Sequence, residues 1–191
     1  MNIPSLDHCL DGLERSHILF DTNFLIDAIR SINREESHSP YIAFTKSLKE
    51  KEITRTTIQP VTLEFFKGTD LLIERRKKKE TLDELIDVIL PLDTQVFELS
   101  DELVQLYRTS GKNIDVTDFL IGATLMKYRT SNFYLLSRDH DDFPVKIFDR
   151  ERVIVLQEPR GGVYSYGLFK FSSNKAEEIQ NSLLEVDQRS N

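Results

Sequence analysis

The sequence feature that most constrains the fold is the stretch from residue 17 to residue 27, in which an apolar run ends at an acid. The run Ile18-Leu19-Phe20 has the composition of a buried strand, and Asp21 ends it. The residues after Asp21 are apolar at the spacing of a packed helix. Because ligands bind at the carboxyl edge of open parallel sheets, Asp21 is a candidate for chemistry. A second interpretation stays open at this point, namely that Asp21 only caps the helix.

The composition bounds the class of protein. A chain of 191 residues with 39% hydrophobic and 30% charged residues is expected to form a globular domain with a buried core. Cys9 is the only cysteine, so we expect no internal disulfide and a cytoplasmic location. We also expect no signal peptide, because the N-terminus lacks a basic start and a long apolar stretch. No membrane partner is expected either, because the longest strongly apolar window, Phe119 to Met126, is too short to span a bilayer. The net charge of −7 disfavours nucleic-acid binding through general basicity but leaves a local basic face open.

Strand and helix patterns alternate along the chain, which predicts an α/β fold with a parallel sheet covered on both faces. We expect residues 1–150 to form the main domain and residues 151–191 to form a C-terminal extension, a β segment and a helix packed on the same domain. After the first strand, further strands are predicted at residues 52–58, 89–92, 133–136 and 145–148.

Four acids share a position relative to these elements. Asp21 and Asp139 each follow a predicted strand, while Glu64 and Asp118 each lie near the start of a helix that follows a loop. In a parallel sheet all four positions fall at the carboxyl edge. Glu64 is also the one acid among large apolar neighbours. We therefore expect apolar side chains to enclose it, which requires a specific role for this acid.

Four converging carboxylates without Lys or Arg between them repel one another, so a cation has to neutralise them. No Cys or His cluster lies near these acids in the sequence, which favours the hard cations Mg²⁺ or Mn²⁺ over zinc. Such an ion with open coordination positions is typical of phosphodiester hydrolysis. We therefore predict that Asp21, Glu64, Asp118 and Asp139 are both catalytic residues and metal ligands.

Four other residues are predicted to support this site. Asn23 and Ser137 are expected to orient a carboxylate or to hydrogen-bond a phosphate. Arg138 either contacts a phosphate or is an exposed charge. Asp115 either caps the helix that carries Asp118 or adds a fifth acid around the ion.

Five consecutive basic residues, Arg75 to Lys79, interrupt a long predicted helix between residues 69 and 89. Such a run is usually a solvated helix face. The alternative is a basic surface that binds a phosphate backbone.

Taken in order, four motifs resemble those of the PIN-domain nucleases, and most closely the VapC-type toxin ribonucleases. The motifs extend over about residues 17–148, and the chain departs from the toxin pattern by its greater length and by one extra residue before Asp142-Phe143. They are Asp21-Thr22-Asn23-Phe24-Leu25-Ile26-Asp27, Val61-Thr62-Leu63-Glu64-Phe65-Phe66-Lys67-Gly68, Asp118-Phe119-Leu120-Ile121-Gly122-Ala123-Thr124, and Ser137-Arg138-Asp139 followed by Asp142-Phe143.

The resemblance implies a three-layer α/β/α sandwich around a central parallel sheet, dependence on Mg²⁺ or Mn²⁺, and a single-stranded RNA substrate. It also favours a homodimer and leaves open an antitoxin protein as partner. The function predicted is that of a metal-dependent endoribonuclease, with the toxin of a toxin–antitoxin pair as one biological role and a housekeeping RNA-processing nuclease as another. A catalytically silent PIN-fold module that binds RNA or protein is the alternative from a different class. A phosphate-transfer domain with Asp21 as nucleophile is disfavoured, because no second acid adjoins Asp21.

Overall fold

The computed structural model describes residues 6–35, 38–108, 114–159 and 161–189. Its strands are β1 (His17–Phe20), β2 (Thr54–Ile58), β3 (Val88–Leu90), β4 (Phe133–Ser137), β5 (Phe148–Gln157) and β6 (Val163–Phe171). Its helices are α1 (Leu6–Cys9), α2 (Thr22–Glu35), α3 (Pro40–Glu50), α4 (Gln59–Phe66), α5 (Leu72–Leu85), α6 (Thr94–Arg108), α7 (Val116–Lys127) and α8 (Ser173–Arg189).

The described strands form one six-stranded sheet in the order β3-β2-β1-β4-β6-β5. Neighbouring strands are parallel among β3, β2, β1 and β4. The strand β6 runs antiparallel to β4, and β5 runs antiparallel to β6. The predicted α/β class is confirmed, but the sheet is mixed and not wholly parallel. The short loop between β5 and β6 makes these two strands antiparallel, because a loop of this length can join only antiparallel neighbours. In this loop the N–H of Glu158 donates to the C=O of Gly162 at 2.7 Å.

The strand order reverses direction between β1 and β4. The chain proceeds outward from β1 to β2 and β3, and then returns to place β4 on the other side of β1. Right-handed crossovers put the connecting helices before and after this reversal on opposite faces of the sheet. Phe20 pairs with Leu136, and the next residue, Asp21, donates its N–H to the C=O of Leu136 at 3.3 Å. Such a reversal is where open α/β sheets bind ligands, and it brings the segments after β1 and β4 together.

The core is built from the parallel strands and the helix α7. Ile18, Leu19 and Phe20 are fully buried, as are most residues of α7 after Phe119. The Leu103 side chain of α6 occupies the space beside Gly122, because a Cβ there would lie 2.6 Å from Leu103 Cδ2. The glycine therefore allows α6 to pack closely against α7.

Residues after 150 share this core. Position 151, where the predicted extension begins, lies inside β5, and Tyr166 and Phe169 of β6 are fully buried. Gln180 of α8 donates to Glu102 of α6 at 3.1 Å, so the last helix also contacts the body of the protein. Within the described ranges, none of the helices combines the length and the apolar character needed to cross a bilayer.

Candidate functional site

A pocket of about 220 Å³ opens at the carboxyl edge of the parallel strands, at the reversal between β1 and β4. We call it the acidic pocket, because none of the described residues that line it is basic and six of them are acids. The structure thus brings together the four acids predicted from sequence and two more. The six are Asp21, Glu64, Asp115, Asp118, Asp139 and Asp142.

Asp21 is the most buried of these acids, with 5% of its surface exposed. Its Oδ1 accepts the N–H of Thr22 at 2.6 Å, and its Oδ2 accepts Asn23 Nδ2 and Ser137 Oγ, both at 2.6 Å. Its backbone C=O accepts the N–H of Leu25 at 3.2 Å, which begins the hydrogen bonding of α2. Different atoms of Asp21 therefore have different parts. Its backbone C=O begins the helix, and three donors hold its carboxylate in the pocket.

Burial raises the pKa of Asp21 to about 6, although the hydrogen bonds from Ser137 and Thr22 act in the opposite direction. The charges of Glu64 and Asp139 raise it further. Burial likewise raises the pKa of Asp118 to about 8, with the charges of Asp21, Asp142 and Asp139 adding to the shift. Both shifts have one physical meaning, which is that the pocket disfavours additional negative charge.

Glu64 lies in α4, and Thr22 Oγ1 donates to its Oε2 at 2.7 Å. The expectation that Glu64 is enclosed by apolar residues is wrong, because Glu64 is exposed and its neighbour Leu63 is 73% exposed. Val61 and Phe65 are four residues apart, so they share the buried face of α4, and the helical turn directs Leu63 and Glu64 elsewhere.

Asp115 and Asp118 reach the acidic pocket from the first turn of α7. Asp115 is the N-cap, and its Oδ1 accepts the N–H of Thr117 at 3.4 Å. Both interpretations of Asp115 therefore hold in part, because this exposed acid caps the helix and also lines the pocket. Asp118 is partly buried one turn further along.

Asp139 is held in a tight turn that follows β4. Its N–H donates to Ser137 Oγ at 3.0 Å, and its Oδ1 accepts the N–H groups of Asp141 and Asp142 at 3.2 and 3.3 Å. This turn brings Asp142 to the pocket. Asp142 was not predicted as a site residue, although its position three residues after Asp139 is the spacing that such a turn requires.

Asn23 and Ser137 hold the site together as predicted for residues that orient a carboxylate. Besides donating to Asp21, Asn23 Nδ2 lies 3.1 Å from Ser137 Oγ, and Asn23 Oδ1 accepts the N–H of Arg138 at 3.2 Å. Thr22, which links the backbone beside Asp21 to Glu64, was not predicted. The sequence feature that could have indicated this role is the hydroxyl side chain directly after the acid that ends the strand.

Arg138 is not among the residues that line the acidic pocket. Its guanidinium Nη1 lies 2.9 Å from Oδ2 of Asp27, an acid of α2 that is 3% exposed. The same oxygen accepts the hydroxyl of Tyr166 at 2.9 Å, and the hydroxyls of Tyr166 and Tyr41 are 2.7 Å apart. Arg138 therefore balances a buried acid that the sequence interpretation did not consider, and its partly exposed side chain anchors the turn that carries Asp139.

The chemistry of the donors fits a hard divalent cation. Six carboxylates and no basic group line the pocket, and oxygen donors of this type suit Mg²⁺ or Mn²⁺. A bound cation would also offset the repulsion that raises the pKa values of Asp21 and Asp118. Across the described ranges, however, no three His, Cys, Asp or Glu side chains already stand in a metal-holding arrangement. Coordination would therefore require side chains to rotate, and those of Glu64 and Asp139 are exposed to solvent.

Comparisons with known proteins were made at three levels. No family model and no curated protein matches the chain. Among solved structures, the chain is similar to one in VapBC2 from Rickettsia felis bound to a DNA fragment from their promoter, with a TM-score of 0.45, 18% identity, and coverage of 62% of this chain and 96% of the other. It is also similar to one in FitAcB from Neisseria gonorrhoeae, with a TM-score of 0.47, 26% identity, and coverage of 66% and 90%.

The comparisons contradict the prediction that the chain is a PIN-domain nuclease closest to VapC-type toxins. No model of that family matches, and the structural neighbours are described as VapBC2 and FitAcB, without reference to a nuclease. TM-scores below 0.5 are too low to carry a fold or a function across. Each of the four motifs is short and consists of common residues around an acid, a pattern that many strand and helix ends produce. The family assignment is therefore wrong, and the acidic pocket is the feature of the chain that bears on its function.

Proposed function

We propose that this chain hydrolyses phosphodiester bonds of single-stranded RNA with the help of Mg²⁺ or Mn²⁺. The observation that carries the proposal is the acidic pocket, in which six acids meet without a basic residue at the reversal of the strand order. Such a concentration of like charge costs folding free energy, so it is expected to have a use. When bound, a hard divalent ion would supply Lewis-acid activation of water and offset the charge of the phosphate.

The residues of the chain divide into those that would hold the ion and those that orient them. Asp21, Glu64, Asp118 and Asp139 are the proposed ligands. Asn23 and Ser137 fix both the position and the rotation of the Asp21 carboxylate, because each donates to Oδ2 at 2.6 Å. Thr22 steadies Glu64 in the same way, through a hydrogen bond of 2.7 Å.

The size of the acidic pocket favours a polymer over a small phosphate ester. Its volume of about 220 Å³ lies below the range of roughly 300–1,000 Å³ that small-molecule sites occupy. This is room for an ion, a few waters and one phosphate, with the sugars and bases left outside. A substrate of this kind needs a further surface beside the pocket.

A protein–protein interface is a second proposal, on a separate observation. Leu72 is 85% exposed and its neighbours Leu71 and Ile73 are 59% and 67% exposed, which makes a solvent-facing apolar run at the start of α5. A homodimer and an antitoxin partner both stay predictions, which light scattering of the purified chain and of its co-purified complexes would test.

The nuclease proposal is tested with the purified chain, Mn²⁺ and a labelled single-stranded RNA. We expect cleavage that EDTA abolishes and that Asp21→Asn and Asp118→Asn each lower by a factor of about 100 or more, because each variant removes a proposed ligand charge. The matched control is Asp101→Asn, an exposed acid of α6 outside the pocket. Cleavage that survives EDTA, or Asp21→Asn cutting at the wild-type rate, would show the proposal to be wrong.

A further inference from the structure

A larger groove adjoins the acidic pocket between the helices α2, α4 and α5. It has a volume of about 670 Å³, within the range of roughly 300–1,000 Å³ that ligand sites occupy. We call it the α2–α5 groove. Ile26 and Glu64 line both the groove and the acidic pocket, so the two are continuous.

The charge of the α2–α5 groove is opposite to that of the acidic pocket. Four cations line it, Arg30, Lys67, Lys77 and Lys78, against two carboxylates, Glu64 and Glu74. Arg30, Lys67 and Lys77 are exposed, and in the described part of the chain their side chains form no ion pair. These three charges are therefore available to a ligand.

Lys78 has a structural part in the groove. Its Nζ donates to the C=O of Phe65 at 2.7 Å and lies 5.1 Å from the centre of the Phe65 ring. This contact attaches α5 to α4 and fixes the wall that carries Lys77. Ile29, which lines the groove, is 8% exposed, so the floor between the charged walls is apolar.

The position of the groove explains the basic run of residues 75–79. Lys77 and Lys78 face the groove, whereas Arg75 lies 5.6 Å from the ring centre of Phe66 and Lys79 pairs with Asp83 one turn along the helix. Arg76 is exposed and lines neither the groove nor the acidic pocket. The basic run is therefore divided between different faces of α5, because helical periodicity separates adjacent residues by about 100°.

We propose that the α2–α5 groove binds the phosphate backbone of single-stranded RNA next to the phosphate held in the acidic pocket. This inference rests on the proposed function and names the surface that the small pocket requires. The acidic pocket repels a polyanion by itself, and exposed cations act only within a Debye length of about 8 Å at physiological salt, so attraction has to come from immediately beside it. A positively charged groove that follows the backbone is one feature of surfaces that bind single strands without sequence preference.

The test compares two triple variants by fluorescence anisotropy with a labelled 12-nucleotide RNA in EDTA. Arg30→Ala, Lys67→Ala and Lys77→Ala together should weaken binding roughly tenfold or more and reduce the dependence of log K on log salt by about 2, because each lost phosphate contact removes about 0.7. The matched control, Lys46→Ala, Arg76→Ala and Lys146→Ala together, removes the same charge from exposed positions outside the groove. It should bind as the wild type does.

Cleavage with Mn²⁺ separates this inference from the proposed function. The groove variant should lose kcat/KM on the 12-nucleotide RNA and keep it on a dinucleotide, which needs the acidic pocket alone. Equal binding by the groove and control variants would overturn the inference even if the wild type cleaves RNA. Loss of binding in the groove variant alone, with no cleavage by the wild type, would support the groove and overturn the nuclease. A twelve-residue polyglutamate that competes better than unlabelled RNA would overturn the inference in favour of an acidic protein partner.

Discussion

The surroundings of the Asp21 carboxylate have opposite effects on its charged form. Three donors at 2.6 Å hold it, yet burial raises its pKa from the usual 3.8 to about 6. The native state therefore keeps its proton in a pH range where the unfolded state has already released it. Stability must fall as the pH rises through that range, from about 4 to about 6.

Asp21→Asn is expected to remove this loss of stability. A pKa shift of about two units corresponds to about 3 kcal/mol, and the imperfect fit of an amide to the three donors costs about 1 kcal/mol, so we expect a net gain of about 2 kcal/mol at pH 7. At pH 4 the gain should become a loss of about 1 kcal/mol, because native wild type is then protonated and only the cost of the amide remains. Urea unfolding at both pH values measures the effect, with Asp101→Asn as control, and an Asp21→Asn protein no more stable than wild type at pH 7 would contradict it.

Among single residues, the acids that follow the strands were predictable from local sequence, and the ion pair between Arg138 and Asp27 was not. Asp21 and Asp139 follow apolar strands, and this local pattern is visible in the chain without its fold. The pairing of Arg138 with Asp27 joins positions 111 residues apart, on α2 and after β4. Nothing near either residue in the sequence indicates the other, because the pair depends on which strand lies beside β1.

At the scale of elements, the contact between α6 and α7 depends on a missing side chain. A Cβ at Gly122 would lie 2.6 Å from Leu103 Cδ2 and 3.3 Å from Phe148 Cζ. The fit of these helices therefore depends on glycine even though α7 loses helix propensity by it.

Gly122→Ala is expected to destabilise the protein by about 1 kcal/mol. Overpacking costs about 1–3 kcal/mol, and the better helix propensity of alanine returns about 1 kcal/mol. In a Leu103→Ala background the sign should reverse, because the clash is gone and the propensity remains. A double-mutant cycle by urea unfolding measures both steps, and additivity of the two substitutions would refute the proposed contact.

The helix α7 and the first strand were predicted from local patterns, and the structure contains both as α7 (Val116–Lys127) and β1 (His17–Phe20). The last predicted strand, at residues 145–148, is instead the approach to β5, which begins at Phe148. An apolar pattern indicates burial, but the direction of a strand depends on the connection that follows it, and here a short loop makes β5 and β6 antiparallel.

At the scale of the whole molecule, the acidic pocket is an assembly of segments distant in the sequence. It draws on the ends of β1 and β4 and on the helices α4 and α7, so its repulsion opposes the folding of the entire domain. A divalent cation that binds only the folded chain would offset this repulsion and raise stability.

Mn²⁺ is expected to raise the melting temperature of the wild type, with a stabilisation of about 2.7 kcal/mol at an ion concentration one hundred times Kd. The shift should increase between pH 6 and pH 8, because Asp21 and Asp118, with pKa values of about 6 and about 8, must lose protons to bind an ion. Calorimetry with and without Mn²⁺ measures it, and the Asp21→Asn, Asp118→Asn double variant should show no shift. An equal shift in both proteins would place the ion elsewhere.

The sequence by itself determined which segments are buried and that acids end two of the strands, because the alternation of apolar and polar residues records burial locally. Only the tertiary structure decided that Glu64 is exposed and that Arg138 forms an ion pair with Asp27. It also decided that Lys77 and Arg30 line the same groove. These facts depend on which elements become neighbours, and neighbours are chosen by the packing of the whole chain.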